Sequence, residues 1–182
     1  MKMNKLCRIL IVAALSAFSS CHNAVHEASD CEKTFWENGN LKSELRYDNG
    51  KLNGECVWYY SNGKKMNQAT YRDGEIDGES KKWFENGQLF QEGSYVDGMM
   101  DGLWFVYYPS GALAAKAEYK MGTGKQTCYE ESGYKCLEVH YRNNLKHGRE
   151  IYYNPDGRVT RIVEYEDGKV VFEDNDPQNG VK

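Results

Sequence analysis

Six cysteines are the side chains of this sequence best suited to chemistry: Cys7, Cys21, Cys31, Cys56, Cys128 and Cys136. Cys128 and Cys136 flank Ser132-Gly133, a hairpin-turn signal. A loop with an odd number of residues would place both on one face, so we expect a cross-strand disulfide in an oxidising compartment. Cys31 and Cys56 are expected two strands apart, roughly 9–10 Å, and would pair only if Cys31 precedes the first strand and folds over. The spacings match no zinc motif.

The other titratable side chains form no catalytic constellation in the sequence. His140 and His147 lie on either side of one loop, and no serine or cysteine stands out as a nucleophile for them. Acidic pairs recur in two loops, Asp73 with Asp77 and Asp97 with Asp101. Weak calcium binding is one interpretation, but turn formation explains them better because no EF-hand spacing is present. We therefore expect a non-enzymatic protein with no metal and no cofactor.

The N-terminal segment, residues 1–20, is predicted to be a secretion signal. Three basic residues precede an apolar run from Ile9 to Phe18, which is too short to span a bilayer. Ser19-Ser20-Cys21 then resembles the lipobox of bacterial lipoproteins. The resemblance implies cleavage before Cys21, lipid attachment to it, and anchoring to a membrane of the cell envelope, periplasmic or outer. The alternative is ordinary signal cleavage nearby with Cys21 left free. Residues 21–33 are predicted to include the lipidated cysteine and a flexible tether.

The rest of the chain is a repeat array. Turn glycines recur at intervals of 24, 24, 24, 22 and 24 residues, at Gly39, Gly63, Gly87, Gly111, Gly133 and Gly157. A tyrosine follows each glycine by eight residues, at Tyr47, Tyr71, Tyr95, Tyr119, Tyr141 and Tyr165. Residues between them alternate in polarity, as in a strand, and Asn-Gly is a hairpin-turn signal. The pattern predicts an all-β fold over residues 34–172: an elongated antiparallel sheet of six 24-residue hairpins. The 22-residue interval is attributed to a shorter return loop at Gly122-Thr123-Gly124, and residues 173–182 form an acidic tail.

Two aromatic columns run across these repeats. The first column is Phe35, Tyr59, Trp83, Tyr107, Tyr129 and Tyr153; the second is Trp36, Tyr60, Phe84 and Tyr108, followed by Glu130 and Asn154. Adjacent strand residues point to opposite faces. We expect turn loops of three or five residues, which would join the first column to the tyrosines in one buried layer. The second column, with Trp58 on the same face, is then a candidate interaction surface. Its alternative is cover by a curved sheet or by the tether.

The repeated phrase itself is similar to a known family. Trp83-Phe84-Glu85-Asn86-Gly87, followed by Tyr95-Val96-Asp97-Gly98 and Gly102, resembles MORN repeats (membrane occupation and recognition nexus). The closest resemblance is to bacterial MORN-variant proteins, some catalogued as YwqK-type antitoxins. It covers residues 34–172. It implies a β-hairpin array that serves as a scaffold, a protein-binding surface or a membrane-contact module, and it raises antitoxin activity as an expectation.

The net charge limits the classes of partner that the protein is expected to bind. The formal net charge of −4 argues against nucleic acid and against electrostatic adhesion to an anionic membrane. The sequence therefore predicts an envelope lipoprotein whose β-sheet is a platform for an unidentified protein partner, with the membrane contacted through the lipid on Cys21. One alternative is an antitoxin or immunity protein that neutralises a toxin. Another is binding of cell-wall glycan through aromatic rings.

Overall fold

The computed structural model describes residues 30–177 as an all-β fold, which confirms the predicted fold class. The strands are β1 Asp30–Phe35, β2 Leu41–Asp48, β3 Lys51–Leu52, β4 Gly54–Tyr59, β5 Lys65–Arg72, β6 Glu75–Trp83, β7 Leu89–Val96, β8 Met99–Tyr107, β9 Leu113–Lys120, β10 Thr123–Tyr129, β11 Lys135–Arg142, β12 Leu145–Tyr153, β13 Val159–Glu166 and β14 Lys169–Asp174. The predicted signal segment and Cys21 lie outside the described residues. The last four residues of the predicted tether belong to β1, so the array begins earlier than expected.

All fourteen strands belong to one antiparallel sheet, and its order follows the chain. Each strand pairs with the strands that precede and follow it, except that the short β3 pairs with β2 alone. In the strand ladders every repeat therefore pairs only with its neighbours, as in a solenoid. Among residues 30–177 there is no helix to form a second layer over the sheet. Within the described residues, any cover over either face of the sheet therefore comes from the side chains of the sheet itself.

The Asn-Gly turns have three-residue loops, which confirms the predicted odd length. In the first hairpin the Trp36 N–H donates to the Asn40 carbonyl at 2.8 Å, and the Gly39 N–H donates to the Trp36 carbonyl at 2.9 Å. The loop between them is residues 37–39, and Gly39 has a φ of +85°. Glycine adopts this left-handed conformation without the penalty that a Cβ brings, which explains why the residue recurs at each turn.

A bulge follows each of these turns and changes which residues share a face. In the first hairpin Phe35 pairs with Leu41, whereas the preceding residue Thr34 pairs with Ser43. Lys42 is therefore an extra residue in β2, and the same one-residue shift recurs in the next five hairpins. Because side chains alternate, one extra residue reverses the face of everything beyond it. The expectation that the first aromatic column joins the tyrosine column is wrong for this reason.

The register defines two faces. The inner face carries the tyrosine column and Trp58, since Ser43 pairs with Trp58 and Trp58 packs edge-on against Tyr71 with ring centroids 6.3 Å apart. The second aromatic column follows Trp58 on this face. The outer face carries the first aromatic column. The core cluster of buried residues spans Met100 to Val163 and includes Tyr119 and Tyr141, whose rings are 5.8 Å apart. Because no helix covers these residues within 30–177, they are buried by the side chains of the sheet itself.

The return turns lie at the other end of the strands from the Asn-Gly turns, and they stack on one another. Each has two residues with positive φ, such as Asp73 at 52° and Gly74 at 90°, which is the type I′ geometry of tight hairpins. The Gly74 N–H donates to the Leu52 carbonyl of the preceding repeat at 2.8 Å, and the Gly98 N–H likewise donates to the Ile76 carbonyl at 2.9 Å. Backbone hydrogen bonds therefore connect the repeats at this edge in addition to the strand ladders.

The short fourth repeat keeps its return turn and loses the irregular pairing that follows it. In the third repeat the register shifts after the turn, whereas Gly124 pairs with Tyr119 and the ladder continues without a shift. The two residues that this repeat lacks are therefore missing from the strand pairing after the turn, and not from the turn itself as predicted. Asn144 spans the gap: its side-chain nitrogen donates to the Gly98 carbonyl at 3.0 Å, and its Oδ1 accepts from the Met100 N–H at 3.1 Å. This amide joins the third and fifth repeats.

Candidate functional site

The second aromatic column lies on the inner face, but its members differ in exposure. Trp36, Tyr60 and Phe84 are half-buried, as is Trp58 beside them. Tyr108 is only 1% exposed and belongs to the core cluster. The predicted interaction surface therefore cannot include Tyr108 in this conformation. Its candidate part is reduced to the first three repeats.

The polar ends of this column bind the next repeat. The Trp36 Nε1–H donates to the Tyr59 carbonyl at 3.1 Å, and the Tyr60 hydroxyl donates to the Trp83 carbonyl at 2.8 Å. Tyr108 makes the equivalent bond to Tyr129 at 2.8 Å. These bonds occur at the equivalent position of repeats one, two and four, so each fixes the spacing between neighbouring turns. These hydrogen bonds explain the polar ends of Trp36 and Tyr60 but not the partial exposure of their rings.

Filling of the inner face changes along the array. Every buried member of the core cluster lies between Met100 and Val163, in the second half of the chain. In the first three repeats the buried inner-face side chains are small, among them Cys56, Ala69 and Ser80. Small side chains leave the neighbouring rings uncovered. The inner face is therefore closed over its own side chains in the later repeats and open in the earlier ones.

One row of the open part is polar. Trp58 pairs with Asn67 across β4 and β5, Asn67 pairs with Lys82, and Lys82 pairs with Gln91. Equivalent positions in later repeats hold apolar residues such as Val106 and Leu137. The side-chain oxygen Oδ1 of Asn67 is buried and accepts no hydrogen bond. Lys82 is an exposed residue, yet the packing around it lowers the pKa of its ammonium group by desolvation. We call these four residues, Trp58, Asn67, Lys82 and Gln91, the polar row.

The outer face presents the first aromatic column with charged neighbours. The Tyr107 hydroxyl donates to Glu92 at 3.1 Å, and the Tyr153 hydroxyl donates to Glu138 at 2.7 Å. The Lys135 ammonium lies 3.8 Å from the ring centre of Tyr153. Burial, followed by the hydrogen bond to Glu138, raises the pKa of Tyr153 to about 12. These rings are engaged by their own neighbours and remain half-buried.

Three of the four acidic residues in the return-loop pairs, Asp77, Asp97 and Asp101, are engaged within the fold. Asp97 binds Arg72 of the preceding repeat at 2.7 Å, and the same guanidinium binds Asp77. Asp101 accepts the Met121 N–H at 2.9 Å, and this bond is the main cause of its lowered carboxyl pKa. Within residues 30–177 no group of three or more histidine, cysteine or acidic side chains is placed to hold a metal ion. The interpretation of these residues as turn and loop supports agrees with these contacts.

The two array histidines occupy separate environments. The His140 Nδ1 lies 2.9 Å from the Arg149 carbonyl, and the His147 Nδ1 lies 3.4 Å from an Asp167 carboxylate oxygen. Neither contact involves a serine hydroxyl or a cysteine thiol. The geometry therefore gives no support for nucleophilic catalysis by these side chains, although the absence of enzymatic activity stays a prediction.

The four array cysteines fall into two pairs with different geometry. Cys31 is exposed and donates to Glu44 at 3.5 Å, whereas Cys56 is buried. β2 lies between their strands and the register puts them on opposite faces, so this fold does not allow them to pair. Cys128 and Cys136 are both buried in one hairpin, and Cys128 pairs with Leu137, the residue next to Cys136. The disulfide between them stays a prediction.

These features define a class of protein, an open, single-layer array of β-hairpin repeats. Buried side chains fill the inner face in the second half of the array, and the inner face of the first half is open. Comparison with known families identifies the repeats. The model of the MORN repeat variant matches four successive segments of the chain, residues 31–49, 52–73, 76–97 and 100–121. The fifth and sixth hairpins continue the same strand pairing beyond the matched segments. No curated protein matches the chain at a significant level. No helix within residues 30–177 has the length and apolar character needed to cross a bilayer.

Proposed function

We propose that this protein is a non-enzymatic interaction platform whose open inner face, in repeats one to three, binds a protein partner. The observation that carries the proposal is the change in filling: the core cluster ends at Met100, and before it the rings of Trp58, Tyr60 and Phe84 stay partly exposed. Aromatic residues are enriched in protein interfaces because they combine large apolar area with low conformational freedom. MORN repeats often serve as protein- or membrane-interaction modules, which is consistent with this role.

We further propose that the platform is held at a bacterial cell envelope by lipid on Cys21. The support is the sequence alone, namely the apolar run that ends at Phe18 and the small residues before the cysteine. A lipid on Cys21 would leave the array in the aqueous phase, with its acidic net charge away from an anionic membrane surface. Metabolic labelling with a fatty acid tests this part: wild-type protein should incorporate the label and Cys21→Ser should not.

Partner capture tests the platform itself. Trp58 and Phe84 are the best positions to change, because their rings make no hydrogen bond to the backbone of the next repeat and their loss should leave the array folded. We expect the double variant Trp58→Ser with Phe84→Ser to lose a stoichiometric partner that co-purifies with the wild type from gently solubilised envelopes. Trp83→Ser is the matched control, since Trp83 precedes Phe84 and points to the outer face. Retention of the partner by the double variant would contradict the proposal.

The nature of the captured partner separates this role from the immunity alternative. A toxin among the co-purifying proteins, together with sensitivity of the deletion strain to it, would make the platform an antitoxin or immunity protein. Support for that reading is at present the family resemblance. Capture of a protein without toxic activity, together with normal sensitivity of the deletion strain, would support the platform role and exclude the antitoxin role.

The outer face favours a second candidate, binding of cell-wall glycan. Its aromatic column places one half-exposed ring in every second strand, so the rings recur at roughly 9–10 Å along the array. Rings flanked by polar groups, as Tyr107 is by Glu92, can stack on a sugar while the polar groups bind its hydroxyls. Retention of the wild-type protein on purified peptidoglycan, lost in Trp83→Ser and kept in Phe84→Ser, would support this candidate. Absence of retention would exclude it.

A further inference from the structure

The polar row differs from its continuation in the fourth and fifth repeats. A lysine and two amides occupy the positions where those repeats place Val106, Ala115 and Leu137, and the row becomes charged again at Arg161 in the sixth repeat. No ion pair joins Lys82 to any carboxylate within residues 30–177. β5 contains no acidic residue, and the single one on β7, Glu92, points to the outer face and binds Tyr107. No carboxylate of the neighbouring strands β5 and β7 therefore pairs with the Lys82 ammonium group.

Two further observations indicate that the row is incomplete. Lys82 lies exposed on the open inner face, where its ammonium group is accessible to an anion. Next to it, the Asn67 Oδ1 is buried and accepts no hydrogen bond. A buried acceptor without a donor is unfavourable, and an exposed ammonium group without an ion-pair partner is available to bind an anion. A ligand that supplies an anion and an N–H group at adjacent positions would satisfy both.

We propose that the polar row binds an extended acidic peptide segment of a protein partner, with a carboxylate on Lys82 and a backbone N–H on the Asn67 Oδ1. This inference rests on the proposed function and names the chemistry of the partner. The row crosses four strands, about 15 Å, which corresponds to about four or five residues of extended chain. Trp58 at one end and Phe84 beside Lys82 provide apolar contacts for side chains that flank the acidic residue.

A peptide fits better than a small anion because the row offers more than one kind of group. Lys82 donates to an anion, Asn67 requires a donor, and the amide of Gln91 can both donate and accept. A peptide backbone with an acidic side chain presents all of these at strand-like spacing. In the occupied row the bond between Lys82 and the peptide carboxylate would be charge-assisted, and the peptide itself would shield it from water.

The test uses a fluorescein-labelled hexapeptide of alternating glutamate and leucine, with glutamine–leucine and lysine–leucine peptides as controls. Fluorescence anisotropy should show binding of the acidic peptide to the full-length protein and not of the controls. We expect Lys82→Gln to weaken binding roughly tenfold, the loss typical of a charge-assisted hydrogen bond. Lys82→Arg should retain part of the affinity.

Lys81 provides the matched control. It neighbours Lys82 in β6 but points to the outer face, where it lies 3.6 Å from Glu79. Lys81→Gln changes the net charge by the same amount and should leave binding unchanged. Equal losses in Lys81→Gln and Lys82→Gln, or absence of binding by the wild type, would overturn the inference. Binding that occurs only after residues 22–29 are deleted would assign the row to this chain's own N-terminal segment, which also overturns it.

Partner capture distinguishes failure of this inference from failure of the proposed function. Loss of the native partner in the Trp58 and Phe84 variant, with full retention in Lys82→Gln, would overturn the acidic-peptide inference alone. Retention of the partner by both variants would overturn the platform as well. Loss in both, with retention in Lys81→Gln, is the result that supports the two together.

Discussion

Gly93 should be intolerant of even the smallest side chain. A Cβ built on Gly93 would lie 2.1 Å from the indole ring of Trp104, which covers it on the inner face. Trp104 is 4% exposed, donates to the Ser94 carbonyl at 3.1 Å, and packs edge-on against Tyr95 at a centroid distance of 4.9 Å. In Gly93→Ala the indole must therefore move out of its site, because the backbone on the other side of the contact is fixed by the sheet.

The magnitude follows from these contacts. Overpacking of a filled core costs about 1–3 kcal/mol. Displacing Trp104 adds about 0.5–1.5 kcal/mol for the aromatic pair and about 1 kcal/mol for the hydrogen bond. Gly93 has no left-handed φ, so alanine also restricts the unfolded chain and returns about 0.4–1 kcal/mol. We expect a net destabilisation of about 2–4 kcal/mol. The melting temperature should fall by about 5–15 °C, at 2–4 °C per kcal/mol for a chain of this size.

A double-mutant cycle in urea measures this effect. Removing the indole in Trp104→Ala should itself destabilise the protein by about 3–5 kcal/mol. In that background Gly93→Ala has nothing to clash with, so it should be neutral or slightly stabilising. A coupling close to the full cost of the single change is the expected result. A neutral Gly93→Ala in the wild type, or the same cost in both backgrounds, would refute the assigned register of the inner face.

Three further changes test other parts of the structure. Asn144→Ala removes both hydrogen bonds between repeats three and five and should lower the free energy of unfolding by about 1–3 kcal/mol, measured by urea denaturation. The carboxyl pKa of Asp101 is lowered mainly by the Met121 N–H, so the stability that it contributes is present above its unfolded pKa of about 3.9 and lost as the pH falls through the folded value; Asp101→Asn should make acid unfolding less steep in a pH series. Hydrogen exchange should be faster in the strands before Met100 than in those that pack the core cluster, and uniform exchange would contradict the asymmetry.

The repeat period and the turn signals were sufficient to predict the hairpins, their antiparallel order and the odd turn length. They were insufficient to predict which residues share a face of the sheet. The extra residue after each turn is Lys42 in the first repeat, Phe90 in the third and Cys136 in the fifth. These residues share no chemistry, so the sequence gives no signal for a bulge that depends on backbone geometry. Without it, the first aromatic column was assigned to the wrong layer.

The site was predicted in part. Trp58, Tyr60 and Phe84 were identified from the column that stops, and they do lie on a partly open face. Burial of Tyr108 depends on the core cluster that it joins, which alternation alone does not reveal. Lys82 and Asn67 were missed. Comparison of equivalent repeat positions would have marked Lys82, because its counterpart in the fourth repeat is Val106.

Site-specific photo-crosslinking in native envelopes tests the central claim most directly. A benzophenone amino acid placed at Trp58, on the open inner face, should give a crosslink to one protein partner. The same probe at Trp83, on the outer face one repeat away, should not. Crosslinks from Trp83 alone, or from neither position while the array remains folded, would contradict the claim that the inner face of repeats one to three is the binding surface.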